Sequence, residues 1–308
     1  MTYRATRCTA CDVPDLDYRA AITAPFVAAR VFQRPPSVCR IAQCSNCGLV
    51  FFEDRFEDQE TARLYADYRS EAYYRERHHW EPWYTRAFNS GLGGAEEMLI
   101  RREIYARTVN AHAQGAAIES VLDYGGDRGQ LMLGGPGQNH FVFDISGVEP
   151  ESGVIGLNAA SFADRKFDLV LLCEVLEHVA EPLHVLQDVL GHVRPGGLLY
   201  ITVPNREFPF ADIPAGAWYR AYLRQLLKSR WATMAVDFWS TGFKVKFRRV
   251  PPLGFAKLHE HINFFDDASL TVMLRRAGLD VLMCAPSRDG SGLGALCRKP
   301  AAVITPVL

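Results

Sequence analysis

Ser120–Gly129 reads SVLDYGGDRG, and Phe167–Asn205 reads FDLVLLCEVLEHVAEPLHVLQDVLGHVRPGGLLYITVPN. In the first stretch the apolar pair Val121 and Leu122 stops at Asp123 and runs into Gly125, Gly126 and Gly129, as a short buried strand does before a tight turn. The second opens with a continuous apolar run suited to a strand covered on both faces. It changes to helical spacing over Glu181–Val193, is stopped by Arg194-Pro195-Gly196-Gly197, and resumes as a strand in LLYITVPN. Strand alternating with helix predicts an α/β fold built on a doubly wound, mostly parallel sheet.

Working outward, FVFD (141–144) and GVIGL (153–157) read as the second and third strands. A helix over Asp267–Ala277 closes at Gly278, and LDVLMCA and LGALCRK form a last strand pair, which makes seven strands. Residues 57–115 carry apolar positions at helical spacing, among them Met98, Ile104 and Val109, and read as a helical connector. Residues 1–56 form a cysteine-rich module, and 116–308 the main domain. An inserted lid occupies about 206–258, with Arg220, Arg224, Lys228 and Arg230 interleaved with apolar residues, followed by a basic, strand-like FKVKFRR.

Across 308 residues, 48% are hydrophobic and 22% charged, which excludes a disordered chain. A net charge of -1 gives no general attraction to nucleic acid, so none is expected as a partner. No apolar run approaches the ~18 residues of a membrane span, and the N-terminus lacks a leader pattern, so the expected location is cytoplasmic. In a reducing compartment the spacing of the eight cysteines matters more than their even number. Cys8-x2-Cys11 and Cys44-x2-Cys47 match two metal knuckles that would place four thiolates around Zn²⁺, with Cys39 as the substitute ligand; four unrelated buried thiols is the plainer alternative.

The turn after Asp123 has its own chemistry. Glycines allow a ligand to approach the backbone closely, and an acid ending the next strand, Asp144, can accept both hydroxyls of a ribose. Glu149 competes for that role. The pattern suits a nucleotide cofactor of several kinds, and an ordinary βα turn would show it too. Three histidines, His178, His259 and His261, are candidates to assist an acceptor, because neutral imidazole accepts a proton near pH 7.

Taken together, the two opening stretches resemble class I, Rossmann-like S-adenosylmethionine-dependent methyltransferases, in particular those carrying LEHV and RPGG after the fourth strand. The resemblance implies that Asp123, Gly125, Gly126 and Gly129 hold the methionine part of the cofactor and Asp144 its ribose. Asn158 stands where an adenine-binding acid is common, and Glu174 lies in the same binding region. Two departures stand out: Asp127 occupies a position that is usually glycine, and the short interval from Asp144 to Asp168 leaves little room for a helix.

The double knuckle followed by CGLVF is similar to the zinc-binding domain of methyltransferases acting on activated sugars, in which the metal is structural. That likeness extends to Tyr65, Tyr68 and Arg69 in a segment that covers the cofactor carboxylate. Glu174, Glu177 and His178 in E-x-x-E-H also resemble quinone-biosynthesis O-methyltransferases, whose carboxylates and histidine hold a divalent ion such as Mg²⁺; the plainer reading is that Glu177 and His178 only organise a loop. His259-Glu260-His261-Ile262-Asn263-Phe264-Phe265 is similar to the H-x-N-F-F turn of related enzymes, with His261 the first choice for substrate contact.

The expectation is methyl transfer to a hydroxyl of a small molecule, a nucleotide- or lipid-linked sugar. The alternatives are a quinone or natural-product phenol as acceptor, and a non-catalytic partner protein that kept the fold. The basic lid would meet sugar phosphates or an anionic membrane, or would simply be a solvated face.

Overall fold

The computed structural model describes residues 3–68, 70–91, 94–113, 117–133, 135–145 and 148–301. Along the chain come β1 (Tyr3–Arg4), β2 (Leu16–Thr23), α1 (Pro25–Arg30), β3 (Val38–Cys44), β4 (Val50–Phe52), β5 (Asp54–Arg55), α2 (Asp58–Tyr65), α3 (Glu71–Trp80) and α4 (Arg86–Gly91). There follow α5 (Ala95–His112), β6 (Ser120–Tyr124), β7 (Asn139–Phe143), β8 (Val154–Gly156), α6 (Ala159–Phe162), β9 (Phe167–Cys173), α7 (Pro182–Leu190) and β10 (Val193–Pro204). The chain then forms α8 (Ala217–Leu226), α9 (Arg230–Phe247), β11 (Lys257–Leu258), β12 (Asn263–Phe264), α10 (Asp267–Arg276), β13 (Asp280–Pro286) and β14 (Gly292–Arg298).

These elements gather into two compact units. One comprises Gly93–Leu176, Glu181–Asn205 and Asp267–Leu308. Its seven strands run β13-β14-β10-β9-β6-β7-β8, parallel from β10 to β8, with β14 antiparallel to both of its neighbours. The order explains the composition: central β9 is buried along nearly its whole length and is almost purely apolar, whereas edge strand β8 has none of its residues buried and is three residues long. Val121, Leu169, Leu171, Leu198 and Leu296 share one core with Tyr105 and Val109 of α5. Between Phe143 and Val154 the described residues contain no helix, in keeping with the short interval noted in the sequence.

The other unit comprises Met1–Leu92, Glu177–Ala180 and Arg206–Asp266. Its five-stranded sheet has the order β11-β2-β3-β4-β12, and its core takes in Phe26, Ile41, Phe52, Tyr73, Tyr219, Leu223 and Phe255. Residues 206–258 thus share a core with the cysteine-rich module. One expectation is corrected: FKVKFRR is not strand-like. Alternation of Phe, Lys and Val imitates a strand over a few residues, but Ser229 caps a helix by accepting from the amide of Ala232, and no proline intervenes before Pro251. Helix α9 therefore runs 18 residues to Phe247.

Candidate active site and metal centres

In the seven-stranded unit, Asp123 sits at the end of β6 with its side chain buried. Burial pushes its carboxyl up to about 7, reinforced by Asp144 and Asp127 and opposed by Arg101. Its Oδ1 has no hydrogen-bond partner among the described residues. The chain then turns through Gly125 (φ 72°), Asp127 (φ 54°) and Gly129 (φ 75°), alternate residues all in the left-handed region. Asp is among the few side chains that enter this region at modest cost, so Asp127 preserves the turn that a glycine would make. The Gly125 amide donates to the carbonyl of Phe143 at 2.8 Å, and the Asp127 amide to Asp144 Oδ2 at 2.9 Å, which ties the turn to the end of β7. Gly126 needs its missing side chain for another reason: a Cβ there would lie 2.1 Å from the Asp123 carboxylate.

Two contributors from α5 escaped sequence reasoning. Arg101 is the cation that opposes the upward shift of Asp123, and Tyr105, one turn on, is buried with a hydroxyl that lacks a partner among the described residues. Their i, i+4 spacing ahead of β6 was the available signal. Glu149 is exposed, while its carbonyl accepts from Arg128 at 3.1 Å. The side-chain oxygen of Asn158 accepts from the amide of Ser161 at 2.9 Å and so caps α6, the loop role that the residue type favours. Glu174 has φ 57° and accepts from the Thr202 hydroxyl at 3.0 Å.

In the other unit, Glu177 and His178 of the expected trio gather with His261, their donor atoms within 4.8 Å of one another. Glu174, with its side chain turned to Thr202, is outside that group. His178 Nδ1 lies 2.9 Å from the Tyr65 hydroxyl and 3.1 Å from the carbonyl of Glu260. Nδ1 thus faces the Tyr65 hydroxyl, which can donate or accept, and a carbonyl, which only accepts, while Nε2 lies 3.6 Å from Glu177 Oε1. The His178 and His261 rings meet edge to face at 4.8 Å. Burial lowers the pKa of His261, against the raising influence of Glu260, and favours neutral imidazole.

His259 is separate from this group. Its Nε2 pairs with Glu81 at 3.0 Å, in a network where Lys257 lies 2.8 Å from both Glu81 and Asp237. Burial acts to raise the Glu81 pKa, but His259 and Lys257 hold it well below the usual carboxylate range. Tyr68 packs edge-on against Tyr65 and Tyr73, and Arg69 lies outside the described residues.

What fixes Glu177 and His178 in place is Arg55, which no motif announced. Fully buried, it donates to the carbonyls of Phe52, Val179, Ala180 and Ile262 at 2.9–3.1 Å and to Asn263 Oδ1 at 2.6 Å. Asn263 in turn donates to Val179 O at 2.9 Å, and the amides of Ile262 and Asn263 both donate to the carbonyl of Glu177. The Thr9 hydroxyl, next to Cys8, donates to Asn263 Oδ1 at 3.3 Å.

Cys8, Cys11, Cys44 and Cys47 are all buried, and their sulfurs lie within 4.8 Å of one another. The pairs 8–47 and 11–44 are each 3.5 Å apart, close to the ~3.8 Å between sulfurs around tetrahedral zinc. Cys39 stands apart on β3, where burial raises its thiol pKa.

A parallel sheet with one reversed strand, and a left-handed, glycine-bearing turn behind a buried acid, define a class I, Rossmann-like methyltransferase fold. The comparisons agree: the family described as "Methyltransferase domain" matches residues 98–283, more than half of the chain, and the chain belongs to that family of S-adenosylmethionine-dependent enzymes. Among curated relatives, the "Ubiquinone biosynthesis O-methyltransferase" of Parvibaculum lavamentivorans is 46% identical over 48 residues, 16% of this chain and 19% of that one. The protein of the same description from Aeromonas salmonicida is 30% identical over 134 residues, 44% of this chain and 42% of that one. The chain thus spans less than half the length of these curated relatives. Among solved structures, N-methyltransferase NodS from Bradyrhizobium japonicum aligns at a TM-score of 0.35 with 16% identity, over 65% of this chain and 96% of that one. The fold rests on the strand order, to which that likeness adds nothing.

Proposed function

We propose that the chain transfers a methyl group to a ring hydroxyl of a small phenol or quinol, and that Glu177, His178 and His261 receive the acceptor. The observation that carries this reading is the convergence of one carboxylate and two imidazoles within 4.8 Å. A hydroxyl must lose its proton as the sulfonium charge is neutralised, and an imidazole within reach of a carboxylate suits that task. The names of the curated relatives favour a phenol or quinol over the sugar hydroxyl that the cysteine module suggested.

S-adenosylmethionine supplies an electrophilic methyl group when bound. Asp123, Gly125, Gly129 and Asp144 would hold it: the unpartnered Asp123 Oδ1 suits an ammonium donor, and the space a Gly126 side chain would fill belongs to that carboxylate. Four buried thiols within 4.8 Å of one another suit structural Zn²⁺. The Glu177, His178 and His261 set would accept a divalent ion, which would acidify a hydroxyl.

Labelled-methyl transfer against a pool of catechols and quinols, beside a pool of nucleotide sugars, tests this. His178→Ala is expected to lower kcat about 100-fold, with cofactor affinity by calorimetry unchanged. Transfer to sugars alone, or full activity in the variant, would refute the proposal.

A further inference from the structure

Helix α9 is built inside out. The side it turns into its own unit carries Thr233, Asp237, Ser240 and Lys244. Thr233 donates to the carbonyls of Leu226 and Ser229, Asp237 pairs with Lys257 at 2.8 Å, Ser240 donates to Phe255 O at 3.1 Å, and Lys244 lies over the Phe208 ring. The outward side carries Trp231, Ala235, Phe238, Gly242 and Val245 at alternating steps of four and three, with Trp239 and Phe247 beside them. Exposure is 75% for Trp231, 63% for Phe238, 53% for Trp239, 80% for Val245 and 52% for Phe247. Single exposed apolar residues need no explanation, but a continuous row along five turns does. The rings form a string: Trp239 to Phe243 at 5.4 Å, Phe243 to Phe247 at 4.6 Å, and Trp83 to Phe238 at 6.0 Å.

Charge tells what covers that row. Between Ile213 and Leu258 there are nine Lys and Arg residues and one acid, Asp237, which is buried against Lys257. Arg220, Arg224, Lys228, Arg230 and Lys246 are exposed, as is Arg249, which is paired with Asp212. Arg230 lies over Trp80 and Trp231, and Lys246 over Phe247, so cations flank both ends of the aromatic row. A second copy of this surface would bring like charges together. A negatively charged bilayer satisfies both features at once, with rings at the headgroup boundary and cations on lipid phosphates.

We propose that α9 is the peripheral contact of this protein with an anionic lipid surface. No described helix is long and apolar enough to cross a membrane, so the contact lies in the interface. This inference stands independently of the methyl acceptor.

Flotation with two vesicle preparations tests it: pure phosphatidylcholine, and phosphatidylcholine with about 30 mol% phosphatidylglycerol. The full chain is expected to float with the second and not the first, and to be released by high salt. The double substitution Trp231→Ala and Trp239→Ala should weaken binding by at least about tenfold, and Lys228→Glu with Lys246→Glu should abolish it, with melting temperature unchanged in both. Wild-type protein that stays at the bottom of the gradient overturns the proposal. So does binding indifferent to both variants, or a wild-type dimer that the tryptophan variant dissociates.

Discussion

The turn after Asp123 and the Glu177–His178–His261 group solve the same problem, presenting charge at a fixed place, by opposite means. In the turn the backbone does the positioning: three alternate residues hold positive φ, and amides anchor it to Phe143 and Asp144 within about twenty positions of sequence. In the histidine group the holding contacts are long-range, since Arg55 reaches residues 124 to 208 positions away and the amides of Ile262 and Asn263 donate to Glu177 O. A local device tolerates substitutions that respect its dihedral angles. A long-range one fails when its single hub is removed.

Removing that hub should give the largest effect. Arg55→Ala takes a donor from the carbonyls of Phe52 and Ala180 and one of two donors from Val179 O, Ile262 O and Asn263 Oδ1, at a cost of about 4 kcal/mol given ~1–3 kcal/mol for each unsatisfied group. The expected result in hydrogen exchange is loss of protection around residues 177–180 and 262–263, with protection of β6 and β9 retained. Equal loss in both units would erase the contrast drawn here. Arg55→Lys should recover little, because an ammonium cannot reach acceptors spread around a planar fork.

Asp123→Asn comes next and acts through charge. The folded-state pKa of Asp123, about 7, lies above its ordinary value of 3.8. A group raised in this way contributes stability that is complete below pH 3.8 and is lost as pH rises through 7, because the unfolded chain releases the proton first. The ligand-free Asn variant should therefore melt about 5 °C higher than wild type at pH 8, and the gap should close toward pH 4. Its affinity for S-adenosylmethionine should fall about 100-fold at pH 8. Wild-type affinity should climb as pH rises through 7, and calorimetry with the variant should show no such rise. A variant that binds as tightly as wild type would remove Asp123 from the cofactor.

Legibility followed the same divide. The seven strands, the turn and the cysteine spacing are local patterns, and each could be read from ten to forty consecutive residues. Arg55 could not, because an arginine at the end of a two-residue strand looks like any surface cation until its acceptors are folded around it. His261 was a candidate for substrate contact, but its grouping with Glu177 in place of Glu174 depends on where Ile262 and Asn263 donate their amides. Helix α9 misled for the converse reason. Its polar stripe faces inward and its apolar stripe outward, so patterning against a single core gives the wrong period at its basic end.

The smallest effect sharpens the comparison most. Asp127 already holds φ 54°, its amide donation to Asp144 belongs to the backbone, and its side chain makes a 3.4 Å contact with Gln130 and adds the smallest part of the upward push on Asp123. Asp127→Gly should therefore change stability by no more than about 1 kcal/mol, the left-handed strain relieved being offset by the freedom glycine adds to the unfolded chain. Cofactor affinity should stay within about twofold, since the donor to Asp144 remains. Asp127→Val tests the same backbone from the other side. A β-branched residue resists positive φ, so the turn must distort and affinity should drop about tenfold. If glycine and valine behaved alike, the dihedral pattern would not be what builds the site, and the contrast between a backbone-held turn and a cluster held at long range would fail at its simpler end.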